Sequence, residues 1–254
     1  MVAVLFFLSV PPKIPNVIHK VYIEDSMSIP VTLPPEIQEA HDSWRLMNPE
    51  YTIKYYSGVD CIEYLRRHFG EKHVTMFDTI KAYAGKCDFF RYCVLYREGG
   101  WYSDWKQTCL EPIDSWVDME ADIVLFYDHG CNSSRKNHGV ANALIGCVPK
   151  HVIPQDSMHI VEQHIRAKHY GKTALETTGP IVLGEALQRA LPALNKYECQ
   201  LGVYGGRFFT TKDGLDVVEH KCKKCSRSQD WGKRGNNYHK LWSDKTFYGE
   251  KHTL

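Results

Sequence analysis

The apolar and polar positions alternate between strand-like and helix-like periods along most of the chain. Residues 16–23, Asn-Val-Ile-His-Lys-Val-Tyr-Ile, are rich in β-branched residues and predict a first strand. Pro34-Pro35 predicts a helix start, with apolar positions running through Trp44 and a stop near Asn48-Pro49. Residues 52–56 alternate as a second strand. Gly58-Val59-Asp60 ends it, and Asp60 is placed to cap a helix running to about His68. A helix is predicted from Tyr83 to Arg97, stopped by Gly99-Gly100, with a short strand edge at 101–103. Buried strands are predicted at 121–127 and 143–148, and helices at about 155–169 and 181–191. Strands alternating with helices predict an α/β fold with a mostly parallel central sheet flanked by helices. Ligands of such sheets sit beyond the carboxyl ends of the strands. From about residue 200 the periodicity fades into Gly-, Lys- and aromatic-rich stretches. We read 14–254 as one domain ending in a C-terminal flap, preceded by an apolar segment at 1–13.

Composition narrows the function classes. A formal net charge of +1 in 254 residues argues against a nucleic-acid partner. The apolar stretch Val2–Val10 is shorter than the roughly 20 residues a spanning helix needs, and no other stretch reads as a transmembrane span. Nine cysteines at irregular spacing do not read as a disulfide framework, which points to the cytoplasm over the secretory lumen. Asn132-Ser133-Ser134 is a formal glycosylation sequon of a kind common by chance.

The most informative stretch runs from Lys86 to Lys106. Asp88 and Arg91 are three apart and share a helix face. Phe89, Cys93 and Tyr96 are placed to meet the core beside them. Gly99-Gly100 allows a sharp turn and a close backbone approach. Asp104 follows at the end of a short strand, where loops hold reactive groups. Taken alone, Asp88 and Arg91 read more simply as a surface ion pair of little energetic value.

Together these residues resemble glycosyltransferase family 32. That family includes fungal initiating mannosyltransferases, capsular polysaccharide enzymes and relatives of the clostridial glucosylating toxins. Its pattern is Asp-x-x-Arg-Tyr, an apolar turn, then Gly-Gly-x-Tyr-x-Asp-x-Asp. Here Asp88, Arg91, Tyr92, Gly99, Gly100, Tyr102 and Asp104 fall in register, while Lys106 stands where the family has its second carboxylate. Further similar segments are Ile14-Pro15 through Ile18-His19 to Tyr22, Trp44 with Asn48-Pro49-Glu50-Tyr51, Asn142-Ala-Leu-Ile, Thr177-Thr178-Gly179-Pro180, and a loose closing pair His239 and Trp242.

The resemblance implies a GT-A-type nucleotide-sugar-binding fold. It also implies retaining transfer from a UDP- or GDP-sugar to a glycan, lipid-linked sugar or protein hydroxyl. It places Tyr22 against the base, with His19, Asn142 and Trp242 also at the donor. Asp88 and Arg91 would hold sugar and ribose hydroxyls, and Tyr102 would lie beside the diphosphate. Asp104 would bind the ribose or, with His239, a Mn²⁺ or Mg²⁺ ion. Lys106 would supply positive charge that the metal otherwise gives. His19 reads more readily as a core residue, and His239 equally as a surface residue.

Two further segments carry readings of their own. His220-x-Cys222-x-x-Cys225 has zinc-like spacing but offers only three of four ligands, so Cys199 or His239 would have to complete it. A reduced basic loop explains it more simply. Gly205-Gly206 is a turn and no nucleotide fingerprint. The rival function is a carbohydrate- or nucleotide-binding protein with a decayed site, for which Lys106 is the best argument.

Overall fold

The computed structural model describes residues 13–129, 139–194, 199–221 and 236–249. The apolar segment up to residue 12, the sequon, Cys131, Cys222 and Cys225 lie outside these residues. The chain forms a nine-stranded mixed sheet in the order β2-β1-β3-β6-β5-β7-β8-β9-β4. The strands are β1 (Val17–Val21), β2 (Thr52–Tyr56), β3 (Gly100–Ser103), β4 (Thr108–Cys109), β5 (Ile123–Asp128), β6 (Leu144–Cys147), β7 (Cys199–Tyr204), β8 (Phe208–Thr210) and β9 (Asp216–Glu219). The helices are α1 (Pro35–Met47), α2 (Gly58–Phe69), α3 (Glu71–Thr79), α4 (Tyr83–Glu98), α5 (Val152–Ala167), α6 (Pro180–Ala190) and α7 (Tyr238–Ser243).

Side-chain alternation divides the core between the two faces of the sheet. Tyr102, Ile123, Leu125 and Ile145 point to the face packed by α2 to α6. Trp101, Val124, Phe126 and Leu144 point to the other, where Trp44 of α1 and Phe209 of β8 complete the packing. The parallel expectation holds for β1 with β2 and β3, and for β5 with β7. The sheet as a whole is mixed, because β6 runs antiparallel to both β3 and β5.

Local differences from the sequence reading have physical reasons. Ser57, not Asp60, is the N-cap of α2. Ser57 Oγ accepts from the Asp60 amide at 3.1 Å while Asp60 Oδ2 accepts from the Ser57 amide at 2.8 Å, a reciprocal capping box. Helix α3 has no side-chain cap to announce it. The stretch read as a flap carries β7, β8 and β9, which extend the sheet. Strand β7 is half-buried along most of its length, so no clean alternation betrays it. Gly205-Gly206 does form a turn there, with the Gly205 amide bonded to the Phe208 carbonyl. No described helix is long and apolar enough to cross a membrane.

Candidate functional site

The site is built at the corner where α4 hands over to β3. Gly99 and Gly100 have φ of +66° and +86°. A Cβ on Gly99 would lie 2.6 Å from the Pro149 nitrogen, and one on Gly100 would lie 2.4 Å from Val17 Cγ1. Both positions therefore demand glycine on conformational and steric grounds. His19 pins the corner from beneath: Nε2 donates to the Gly99 carbonyl at 3.0 Å, so Nδ1, 3.1 Å away, accepts from Tyr56 Oη. His19 is fully buried, and burial lowers its pKa to about 4.

The loop after β3 is held by buried side chains acting on its carbonyls. Lys20 Nζ donates to the Asp104 carbonyl at 3.2 Å, His41 Nε2 to that of Trp105 at 2.9 Å, and Trp44 Nε1 to that of Gln107 at 2.8 Å. Asn48 reaches the same region through Cys109 Sγ and the Ile113 amide. Burial lowers the Lys20 ammonium to about 7, while Asp104 opposes the shift. Lys20 escaped the sequence reading. Its signal was a lysine in the middle of a β-branched strand that the fold buries on both faces.

Arg91 organises the acids. Its side chain is 4% exposed, and its Nη2 lies 2.9 Å from Asp88 Oδ1 and 3.4 Å from Asp104 Oδ1. Nη1 donates to the Asn142 carbonyl and Nε to that of Cys87, and the guanidinium stacks 4.2 Å over the Tyr102 ring. Asp88 also accepts from Asn142 Nδ2 at 2.9 Å and from Thr178 Oγ1 at 2.8 Å. Burial raises the Asp88 pKa, and Arg91 and Thr178 work against that rise. Tyr102 Oη donates to Asp104 Oδ1 at 3.1 Å. Asp104 keeps 34% of its side chain exposed. Asp88, Arg91, Asp104 and Asn142 line one cleft of about 320 Å³, closed on other sides by Asp128, Thr178, Tyr204, His220, Lys221 and Tyr238.

The structure thus brings Asp88, Arg91, Tyr102, Asp104 and Asn142 together, Tyr102 from beneath. Five expected site residues do not line the cleft: His19, Tyr22, Lys106, Trp242 and His239. Tyr22 is 6% exposed, its ring 5.1 Å from that of Trp105 and its hydroxyl on Glu24. Trp242 Nε1 donates to the Tyr170 carbonyl. His239 stands on the exposed helix α7, against Tyr238. Residues that the sequence did not place at the site are Lys20, Asp128, Tyr204, Lys221 and Tyr238, and His220, read there only as a zinc ligand, also lines the cleft.

On their own the described donors do not complete the Mn²⁺ or Mg²⁺ site that the resemblance implies. Both Asp88 oxygens are engaged, and Asp104 Oδ1 is held by Tyr102 and Arg91. No three His, Cys, Asp or Glu side chains cluster for a metal among the described residues. A hard cation wants about six oxygen ligands. The zinc reading falls on Cys222 and Cys225, which lie outside the described residues.

Residues 34–122 match the family model described as a glycosyltransferase sugar-binding region containing a DXD motif. An uncharacterized glycosyltransferase of Acanthamoeba polyphaga mimivirus is 27% identical over 135 residues, covering 50% of this chain and 52% of that protein. The chain therefore matches about half the length of that relative. Among solved structures, the PaToxG glycosyltransferase superposes with a TM-score of 0.53 at 15% identity, over 93% of this chain and 85% of that one. The UDP-bound glycosyltransferase domain of the YGT toxin gives 0.50 at 10% identity, over 91% and 89%. At such identities the likeness speaks for the fold, which is of the GT-A type.

Proposed function

We propose, from the match of residues 34–122 to the DXD-containing glycosyltransferase sugar-binding model, that this protein transfers a sugar from a nucleoside diphosphate sugar bound in the Asp88–Asp104 cleft. One observation carries the reading: a single buried guanidinium joins the two carboxylates of the family pattern at the wall of the same cleft. A pair fixed in this way offers directed acceptors and donors for sugar and ribose hydroxyls without reorganising when ligand arrives. The mimivirus relative's name and the UDP held by the toxin domain support a nucleotide-sugar donor. The donor base, UDP or GDP, and the acceptor class, glycan, lipid-linked sugar or protein, are the ones implied by the family resemblance.

Breaking the anomeric bond leaves negative charge on the departing diphosphate. Fixed positive charge aimed at it lowers the barrier. Lys221 lines the cleft and is placed to meet that need, while the charge of Arg91 is shared with Asp88 and Asp104. For the retaining course we favour, the acceptor hydroxyl attacks from the leaving-group side. Its proton passes to the departing phosphate, so no dedicated protein base is required. Tyr22 as the base platform requires the base to displace part of its contact with Trp105.

Incubation with a panel of UDP- and GDP-sugars in the absence of acceptor tests the reading. Slow release of free sugar from one donor is expected. The rival, a binding protein that has lost its chemistry, draws on Lys106 in place of the second carboxylate. Donor binding without any sugar release across the panel would favour it.

A further inference from the structure

A chain of side-chain hydrogen bonds runs under the Asp104 loop and ends in the cleft. Lys20 Nζ donates to Ser103 Oγ at 2.9 Å as well as to the Asp104 carbonyl. Ser103 Oγ, accepting there, gives its one proton to Gln107 Oε1 at 2.8 Å in preference to the Asp104 carbonyl at 3.4 Å. That contact orients the Gln107 amide, because its oxygen must face Ser103. Its Nε2 is then turned to His220 Nδ1, 3.4 Å away. An amide nitrogen only donates, so His220 Nδ1 must accept. A neutral imidazole that accepts at Nδ1 carries its proton on Nε2. Burial lowers the His220 pKa, which favours that neutral form. The ring is fixed edge-on between Tyr204, at 5.1 Å, and Phe209, at 5.9 Å. His220 lines the same cleft as Arg91 and Asp104, and Lys221 follows it there.

We propose that the Lys20–Ser103–Gln107 chain sets the tautomer of His220, so that its Nε2–H faces the cleft and hydrogen-bonds an anionic oxygen of the ligand. Resting on the donor reading above, that oxygen belongs to the diphosphate of the nucleotide sugar. The arrangement places a preoriented donor where negative charge develops. It does so on a wall where Asp88 and Asp104 are already committed to Arg91, while Asp128 and Asp104 act on His220 through their charge and oppose the lowering of its pKa. Lys20, Ser103 and Gln107 are then positioning residues, and His220 is the group in contact.

Two measurements test this. In ¹⁵N-labelled protein, the His220 ring signals are identified by their absence in His220→Gln. Without ligand, the proton should sit on Nε2, and Ser103→Ala should turn the single tautomer into a mixture. A proton on Nδ1 in the unaltered protein overturns the proposal. Calorimetry with UDP and GDP provides the second arm. For whichever diphosphate binds, His220→Ala should weaken affinity at least roughly tenfold, the loss expected for a hydrogen bond to a charged group. His220→Gln, whose amide nitrogen reaches the Nε2 position, should recover much of it, and His220→Asn should not. Affinity for uridine or guanosine should be the same in all variants. Equal diphosphate affinity in the unaltered protein and His220→Ala overturns the inference and leaves the donor reading standing. An unaltered protein that binds neither diphosphate overturns the donor reading itself, and the assigned role with it.

Discussion

The α4–β3 corner and the C-terminal helix α7 both carry residues that the family pattern assigns to ligand, yet they are built in opposite ways. At the corner, Arg91 is buried and Asp88 half-buried, and their side chains are held by neighbours from α4, Tyr102 of β3, the loop at Asn142 and the turn at Thr178. Helix α7 has no buried residue, and its caps bond within the helix itself, through Asn237. Charge that must be held at a set place is held by the fold at the corner. Helix α7 contributes Tyr238 to the cleft wall, while His239 and Trp242 face elsewhere.

The largest expected effect breaks the corner. Arg91→Met leaves two carboxylates without their shared cation, and should cost roughly 3–5 kcal/mol in urea unfolding. Arg91→Lys should recover little of this, because an ammonium cannot reproduce the fork that reaches Asn142, Asp88 and Asp104. Loss of less than about 1 kcal/mol in both would mean the corner is not organised by Arg91.

Next comes Asp104, exposed enough to lose without unfolding. Asp104→Ala should lower turnover roughly a hundredfold or more, with a melting temperature close to that of the unaltered protein. Near-normal turnover would detach the corner from the chemistry.

A third effect concerns acid. His19 and His41 are held neutral by burial, at about 4 and about 3, below the ordinary value of 6.5. The unfolded chain therefore binds more protons than the native one as pH falls below 6.5. Stability present above that value is lost progressively towards pH 4. We expect a loss on the order of a few kcal/mol across that window, partly flattened in His19→Gln. An unchanged unfolding free energy between pH 7 and pH 4.5 would contradict the burial of His19 beneath Gly99.

The smallest effect is expected at α7. His239→Ala should change stability by less than about 0.5 kcal/mol. Titration of the donor-free protein with Mn²⁺ should show no saturable binding with or without this substitution. Tight Mn²⁺ binding that His239→Ala abolishes would restore the metal role that the family resemblance implies.

The corner was legible in the sequence because its demands are local. Asp88 and Arg91 share a helix face, Gly99-Gly100 is required by backbone geometry, and Asp104 follows at fixed spacing. Trp44, Asn48 and Thr178 were recognisable as landmarks, but their task was visible only when α1 came to lie against the loop after β3 and the turn before α6 against Asp88 of α4. His19 was ambiguous in one dimension and resolved by burial. Lys20, His220 and Lys221 were illegible as site residues for one reason. They reach the site across the sheet, Lys20 from β1 and His220 with Lys221 from the end of β9. No local period encodes that approach.

The most direct test of the central claim is a crystal structure with the hydrolysis-competent donor's nucleoside diphosphate bound. The account predicts the ligand in the Asp88–Asp104 cleft, with a ligand oxygen within hydrogen-bond distance of Asp104 or Arg91. A nucleotide seated elsewhere on the molecule, with that cleft unchanged, would contradict it.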